Sequence, residues 1–425
     1  MKPARLDSAW AALRDQLAEK GIDIREVQKK VMDLWIELPS WAFGNSGTRF
    51  KVFKEPGIPR DPFEKMEDAA QVLKFTGVSK SVALHIPWDK VDDYAKLRKH
   101  AASLGLKIGS ISPNIFQEYD YKFGSLAHSD ARVRAKAMAH FRECVQIVKD
   151  TGSVLFTPWM ADGTNYPGQG DFRRRRRWME EGFRTIYGEL PKSVRMLIEY
   201  KFFEPAFYHT DIADWGISLQ LAQALGDRAQ VLVDLGHHAL GTNIEWIVAM
   251  LIDFKKLGGF HFNSKKYADD DLTVGSTNPY ELFLILNEIV AGELDPSVNG
   301  ALDVAYMIDE SPTLKPKIES MIQSVSNVQE TYARALLVDR KALAAAREAN
   351  AVIDAEEALT DAFRTDVRPL LAKARIERGL DPNPLAAFRR TDYVAQIVKA
   401  RGFGEAAPAA RGSARKKVRE AAGWT

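Results

Sequence analysis

Three consecutive acids follow a short apolar stretch that contains a histidine. The stretch is Gly259-Phe260-His261-Phe262-Asn263, and the acids are Asp269, Asp270 and Asp271. Carboxylates held close together repel one another unless water or a cation screens them. An acidic surface loop that caps the next helix, with a hydrogen-bonded core histidine before it, is the simpler interpretation. A divalent cation would instead account for the acids and the histidine together.

Other apolar stretches are also interrupted by carboxylates and histidines. Glu199 lies in an apolar run that ends at Lys201, and Asp234 ends a run of aliphatic residues. An acid within an apolar strand is seldom buried without a partner, which favours metal ligation over simple pairing of Glu199 with Lys201. Adjacent side chains at a strand end point in different directions, so we predict that His237 is a ligand and that His238 is structural.

These candidate ligands offer carboxylate oxygen and imidazole nitrogen, without a thiolate. Sites of this composition suit Mn²⁺, Mg²⁺ or Co²⁺, with Zn²⁺ as a further option. The candidates exceed the number of ligands that one ion needs, so two ions that share a bridging carboxylate are predicted. Glu199 and the loop acids are the alternatives for that bridge.

The elements that must position these residues alternate regularly. Apolar runs of four to eight residues alternate with amphipathic stretches of ten to twenty, which is typical of βα units with a parallel sheet. Eight runs over roughly 270 residues predict an α/β fold, a closed (β/α)₈ TIM barrel with N-terminal helices and a C-terminal α-helical extension. The predicted strands are the run before Trp41, 81–86, 107–112, 154–159, 195–200, 230–235, 259–263 and 302–308.

Chemistry in such a barrel occurs at the C-terminal ends of the strands, and polar side chains accumulate there in this sequence. The predicted strand-end residues are His85, Trp88, Asp89, Asn114, Trp159, Asp162, Glu199, Lys201, Asp234, His237, His238, His261, Asn263 and Asp309.

The predicted helices are 91–104, 131–148, 178–187, 212–225, 244–257 and 281–290, with Gly105, Gly226 and Gly258 as C-terminal stops.

The chain divides into four predicted segments. Helical periodicity at 8–20 and 24–34, and again at 316–350 and 352–377, places helices on both sides of the barrel. The predicted segments are an N-terminal helical segment at 1–35, the barrel with its site at 36–312, a C-terminal helical extension at 313–403 and a flexible Ala/Gly/Arg-rich tail at 404–425.

Composition narrows the classes of partner. Lys and Arg number 59 against 57 Asp and Glu, and this near-neutral balance argues against nucleic acid or an anionic membrane as the partner. With one cysteine, Cys144, and no signal-peptide pattern, we expect a cytoplasmic protein that binds a small molecule. The run Arg173–Arg177 opposes the dipole of the helix that it begins, and a solvated face or a subunit contact is its favoured interpretation.

Several strings resemble bacterial L-rhamnose isomerases of broad substrate range, within the xylose isomerase-like barrel superfamily. The resemblance extends to about residue 375. The matching strings are Pro39-Ser40-Trp41, Gly47-Thr48-Arg49-Phe50, Leu84-His85-Ile86-Pro87-Trp88-Asp89-Lys90, Tyr121-Lys122-Phe123-Gly124-Ser125-Leu126, Glu204-Pro205-Ala206-Phe207-Tyr208, Val233-Asp234-Leu235-Gly236-His237-His238, Gly258-Gly259-Phe260-His261-Phe262-Asn263 and Asp269-Asp270-Asp271.

The resemblance implies a homotetramer with two divalent ions per subunit, most often Mn²⁺, that converts an aldose to a ketose. A structural ion would be bound by Glu199, Asp234, His261 and Asp309, and a catalytic ion by Glu199, His237, Asp269 and Asp271. The residues that would line the sugar pocket are Trp41, His85, Phe116, Trp159, Lys201 and His237, with Phe50 reaching into a neighbouring subunit.

The expected reaction is therefore metal-dependent isomerisation of L-rhamnose to L-rhamnulose, with L-mannose, L-lyxose or D-allose as related substrates. His85 is expected to assist ring opening, and Lys201 and Asp309 to act near O1. Tyr200 and Ser264 depart from the family pattern, which has His and an acid there. The alternatives are a ketose 3-epimerase or another metal-dependent sugar enzyme on the same barrel, a metal-dependent hydrolase or nuclease, and a noncatalytic sugar-binding protein.

Overall fold

Eight parallel strands form a closed barrel in the computed structural model, which describes residues 3–48, 51–203 and 207–403. Each strand pairs with its neighbours in the sequence, and β1 closes the barrel by pairing with β8. This confirms the predicted fold class. The strands are β1 (Ile36–Pro39), β2 (Ser81–Ile86), β3 (Lys107–Pro113), β4 (Leu155–Phe156), β5 (Arg195–Glu199), β6 (Ala229–Asp234), β7 (Leu257–Phe262) and β8 (Ala305–Ile308).

An apolar layer fills the barrel interior beneath the strand ends. Leu197, Leu232 and Met307 pack together with Leu155 in a cluster separate from the main core. Leu197 and Leu232 lie two residues before Glu199 and Asp234, and Met307 lies two residues before Asp309. Side chains two residues apart along a strand point to the same side of the sheet, so each of these apolar side chains lies on the same side as its acid. The acids therefore stand on an apolar floor.

Fifteen α-helices lie within the described residues, and none of them is long and apolar enough to cross a membrane. They are α1 (Pro3–Glu19), α2 (Ile24–Asp33), α3 (Pro62–Thr76), α4 (Tyr94–Ser103), α5 (Ala131–Thr151), α6 (Phe172–Glu189), α7 (Trp215–Leu225), α8 (Ile244–Asp253), α9 (Pro279–Leu294), α10 (Lys317–Leu336), α11 (Arg340–Glu348), α12 (Val352–Arg364), α13 (Arg368–Glu377), α14 (Pro384–Arg389) and α15 (Tyr393–Arg401).

Gly258 does not stop a helix, contrary to the sequence prediction. The preceding helix, α8, ends at Asp253, and Gly258 lies within β7. A Cβ on Gly258 would come within 2.5 Å of the Leu197 side chain and 2.7 Å of Gln230 Cβ. The glycine is therefore required by crowding between neighbouring barrel strands rather than by the end of a helix.

The arginine run lies inside α6 and includes a buried residue. Arg175 is buried and pairs with Asp211, with Nη2 2.7 Å from Oδ2. It also donates to the Gly163 carbonyl, in a short antiparallel pair formed by Gly163–Thr164 and His209–Thr210. The other four arginines are exposed, as the sequence predicted, but Arg175 is a buried structural contact.

The C-terminal extension packs as successive helices against helices of the barrel and of the N-terminal segment. α10 contacts α9 and α3, and α13 contacts α1 and α2. The two helical stretches predicted at 316–350 and 352–377 are each divided in two, and α14 and α15 follow them. The predicted tail, 404–425, lies outside the described residues.

Candidate metal centre

Four of the predicted ligands converge at the ends of neighbouring strands. Glu199 and Asp234 end β5 and β6, His261 lies in β7, and Asp309 follows β8. One ligand atom from each lies within 4.8 Å of all the others. His261 Nδ1 is 3.1 Å from Glu199 Oε1, 3.4 Å from Asp309 Oδ2 and 3.9 Å from Asp234 Oδ2. We call these four residues the inner cluster.

A second cluster adjoins the first and shares Asp234 with it. It consists of Asp234, His237 and Asp269, and we call it the outer cluster. His237 Nε2 lies 3.2 Å from Asp269 Oδ1 and 3.9 Å from Asp234 Oδ1. His237 Nδ1 lies 3.0 Å from the Tyr200 carbonyl, to which it can donate a hydrogen bond, and Nε2 faces the acids. Glu199 Oε1, 3.3 Å from His237 Nδ1, lies between the two clusters.

The charged groups of the two clusters shift one another's pKa values. Burial alone would lower the histidine pKa values, but the surrounding carboxylates raise the pKa of His237 to about 9 and that of His261 to about 10. Burial raises the pKa of Asp234 to about 7, against the opposing charge of His237. The acids are thus stabilised by positive charge. The two histidines supply that charge only when they are protonated, at pH values below their own raised pKa values.

The donor set fits divalent cations. Asp269 Oδ1 is buried and, apart from His237 Nε2 at 3.2 Å, has no polar partner among the described residues. Asp234 is oriented by Asn263 Nδ2, which donates to Oδ1 at 2.9 Å, and by the Gly236 amide. Trp41 Nε1 donates to Asp309 Oδ1 at 2.8 Å, and Oδ2 remains directed at His261. Outer hydrogen bonds of this kind orient the carboxylates and histidines of metal sites.

The other two loop acids behave differently from Asp269. Asp270 is exposed and accepts hydrogen bonds from the amides of Lys266 and Tyr267, so it shapes the loop. Asp271 lines the cavity above the clusters but belongs to neither of them. Its φ of 46° lies in the left-handed region, and burial beside Asp269 raises its pKa far above the ordinary value. Ligation by Asp271 stays a prediction.

Above the clusters lies a cavity of about 560 Å³ with aromatic walls. His85 stacks on Trp88 with ring centroids 4.0 Å apart, and Trp41 meets His85 edge-on at 5.6 Å. Phe116 and Trp159 form the adjacent wall, 4.7 Å apart. The aromatic rings form the side walls of this pocket, and the charged groups of the two clusters form its base.

A sequence model for the xylose isomerase-like TIM barrel matches residues 67–290, more than half of the chain. The chain belongs to the xylose isomerase-like TIM barrel family. It is 47% identical over 397 residues to a protein of Rhizobium meliloti described as a probable sugar isomerase, and the match covers 92% of each chain. A second probable sugar isomerase, from Mesorhizobium japonicum, is 44% identical over 93% of each chain.

The fold of this xylose isomerase-like protein also resembles a solved structure of an L-ribulose 3-epimerase. The two superpose with a TM-score of 0.51 over 75% of this chain and 98% of the other. Their sequences are only 14% identical, so the likeness concerns the barrel alone.

His85 and Lys201, both predicted to be catalytic, line the cavity of this family member. Burial lowers the pKa of His85 to about 3, so its imidazole is neutral, and Nδ1 has no hydrogen-bond partner among the described residues. Lys201 Nζ lies 2.6 Å from Asp269 Oδ2 and 5.0 Å from the centre of the Trp159 ring. Lys201 therefore joins the aromatic wall to the outer cluster.

Several strand-end residues of the barrel have structural rather than chemical partners. His238 is buried, and its Nε2 lies 2.6 Å from the Tyr200 hydroxyl, so the tyrosine that departs from the family pattern holds this second histidine. Asp162 accepts from Ser125, whose hydroxyl lies 2.6 Å from Oδ1. Asp89 pairs with Lys65 at 2.6 Å.

Sequence reasoning missed the residues that hold the acidic loop at its far end. Glu310 is buried and accepts from the Val274 amide at 2.9 Å and from Ser324 of α10. Ser264, the second departure, exchanges two backbone hydrogen bonds with Leu272 and closes the loop at its base. The sequence signal that could have identified Glu310 was its position as a second acid directly after Asp309. Phe50, expected to enter a neighbouring pocket, lies outside the described residues.

Proposed function

We propose that the protein is a divalent-metal-dependent isomerase that interconverts aldoses and ketoses, acting on L-rhamnose and on related aldoses such as L-mannose, L-lyxose or D-allose. Mn²⁺ is the proposed ion, with Co²⁺, Mg²⁺ or Zn²⁺ as substitutes, and two ions per subunit are proposed. The protein is further proposed to act as a homotetramer in which Phe50 of one subunit completes the pocket of another.

The observation that carries this proposal is the pair of clusters that share Asp234 at the base of an aromatic cavity. Two adjacent cation sites match a substrate that presents two neighbouring oxygens, as O1 and O2 of an open-chain sugar do. The two relatives described as probable sugar isomerases support the same reaction class.

Isomerisation moves one hydrogen between C1 and C2 and one proton between O1 and O2. When bound, divalent ions supply Lewis acidity that stabilises negative charge on these oxygens. His85 lines the cavity with a neutral imidazole, which is proposed to assist ring opening by accepting a hydrogen bond from the anomeric hydroxyl while that proton passes to the ring oxygen. Lys201, whose Nζ lies 2.6 Å from Asp269, is proposed to donate a hydrogen bond to O1, and Asp309, which lines the same cavity, is proposed to act near that oxygen as well.

The aromatic walls position the sugar and exclude water. Trp41, Trp88, Phe116 and Trp159 present flat apolar surfaces on which the C–H groups of a monosaccharide pack. Trp41 also holds Asp309, so the wall and the inner cluster are one connected unit.

The decisive test uses protein stripped of metal and then reloaded with Mn²⁺. Each aldose named above is supplied in turn, and ketose formation is measured by chromatography. We expect ketose with Mn²⁺, none after chelation, and none from Glu199→Gln, which removes the charge between the two clusters. Absence of ketose from every aldose would refute the proposal.

The same assay with a ketose as the substrate distinguishes the proposed isomerase from the alternative function, a ketose 3-epimerase. The inner cluster by itself provides four ligands for a single ion, which would suffice for chemistry at one carbon. Epimerised ketose without any aldose product would favour this alternative.

In the isomerase, turnover in D₂O distinguishes the two routes for hydrogen, because extensive deuterium uptake at C1 or C2 excludes a direct hydride shift.

A further inference from the structure

A second cavity, of about 460 Å³, lies between α10 and α13 and shares no lining residue with the metal centre. One face of each helix contributes to it, and the chain after α13 closes one end. We call it the extension groove. Its lining residues from the two helices are Gln323, Ser326, Asn327, Glu330, Arg368, Leu371, Ala372 and Arg375.

Arg375 is a buried cation with too few acceptors. Its side chain lines the groove, and the residue is only 6% exposed. A guanidinium has five N–H donors. Nη2 donates to Gln329 Oε1 at 2.9 Å and Nη1 reaches the Pro382 carbonyl at 3.5 Å, whereas Nε has no acceptor among the described residues. Most of its hydrogen-bonding capacity is therefore unused.

The other charges that line the groove are paired. Glu330 lies 2.6 Å from Arg334, and Arg368 lies 2.7 Å from Asp366. Among the described residues, no carboxylate lies within 4.0 Å of Arg375. Burial lowers the pKa of its guanidinium to about 10, and the charge of Glu330, which is paired with Arg334, opposes this only in part. A buried charge without a counter-charge in direct contact is costly, and a bound anion lowers that cost.

We propose that the extension groove binds a small anion whose phosphate or carboxylate oxygens accept hydrogen bonds from Arg375. A planar guanidinium suits both groups, because two of its N–H donors match two neighbouring oxygens. Gln323 and Asn327 also line the groove; Gln323 Oε1 accepts from Lys315 and Asn327 Nδ2 donates to the Val274 carbonyl, which leaves Gln323 Nε2 and Asn327 Oδ1 for hydroxyl or oxygen groups of the ligand. The volume lies within the range of small-molecule sites, which is about 300–1,000 Å³.

The test is calorimetric titration of the full-length protein with inorganic phosphate and, separately, with acetate. We expect saturable binding of at least one of them, and binding of one without the other identifies the anionic group. Phosphate at the metal centre is separated from this site by two variants. Arg375→Gln removes the donor, and Ala372→Phe fills the groove while keeping Arg375. Both are expected to weaken binding at least tenfold, whereas Arg378→Gln, an exposed arginine at the end of the same helix, leaves it unchanged.

Thermal unfolding distinguishes a ligand site from a structural arginine. The binding of an anion to the folded state raises the Tm of the native protein as its concentration increases. In Arg375→Gln we expect that rise to vanish, with little change in Tm without anion. A large fall in Tm without anion, or a retained rise, would overturn the proposal. If Arg375→Gln does not fold, Ala372→Phe decides, and binding as strong as in the native protein contradicts the assignment. Failure of both anions to bind the native protein also overturns it.

Discussion

Trp41→Phe provides the sharpest test of how the inner cluster is held. The indole N–H donates to Asp309 Oδ1 at 2.8 Å, which fixes the carboxylate so that Oδ2 faces His261. Phenylalanine keeps an aromatic ring beside His85 but has no donor. The substitution therefore removes one hydrogen bond and leaves every candidate metal ligand in place.

The expected loss follows from the strength of that bond. A hydrogen bond to a charged group contributes about 1.5–3 kcal/mol. At about 1.4 kcal/mol per factor of ten, the affinity of the inner cluster for Mn²⁺ should fall by about 10- to 100-fold. Removal of an outer partner from a metal ligand has effects of the same order.

The assay is titration of metal-stripped protein with Mn²⁺ in the absence of sugar, so that contacts of Trp41 with substrate do not contribute. Trp159→Phe is the matched control. Trp159 lines the same cavity, but its Nε1 has no hydrogen-bond partner among the described residues. We expect unchanged Mn²⁺ affinity for this control. Equal losses in the two variants, or no loss in Trp41→Phe, would refute the role given to the indole.

Three further predictions follow from the same contacts. Asp269→Asn should lower Mn²⁺ affinity at least about tenfold, whereas Asp270→Asn, which keeps an acceptor for the loop amides, should bind Mn²⁺ as the native protein does; equal losses would contradict this division of the loop. Metal-free protein should lose stability, measured as Tm, as pH rises from about 6.5 to 10, because the two cluster histidines bind protons more tightly in the folded state; Mn²⁺-loaded protein should show a smaller change. Arg175→Met should lower the free energy of unfolding, measured with urea, by about 3–5 kcal/mol because it leaves Asp211 unpaired. Arg173→Gln, on the exposed side of the helix, should change this free energy little.

The barrel and the inner cluster could be predicted because both follow from local pattern. Apolar runs at regular intervals identify strands, and closure then brings the residues at their ends together whatever the loops do. Glu199, Asp234, His261 and Asp309 each sit at such an end, so their convergence needed only the correct strand boundaries. The family resemblance identified the same four residues.

Other features depend on contacts between distant parts of the chain. The observed β4 is only Leu155–Phe156, because Pro158 has no amide to donate, and only a bridge between Trp159 and Glu199 continues the pairing. The partner of Arg175 lies 36 residues away, and nothing in the arginine run indicates it. α3 was not among the predicted helices, although Asp61 and Pro62 form a recognisable start.

The two clusters also differ in what holds them. Three ligands of the inner cluster lie in strands and the fourth directly follows one, so their positions are set by the hydrogen-bonded barrel itself. The outer cluster takes only Asp234 from a strand, while His237 and Asp269 come from the loops after β6 and β7. Side chains on regular elements are held more precisely than those on loops. In the proposed two-metal enzyme, the ligands of the inner cluster would therefore be held more rigidly than those of the outer cluster, whose loops leave His237 and Asp269 more freedom to shift.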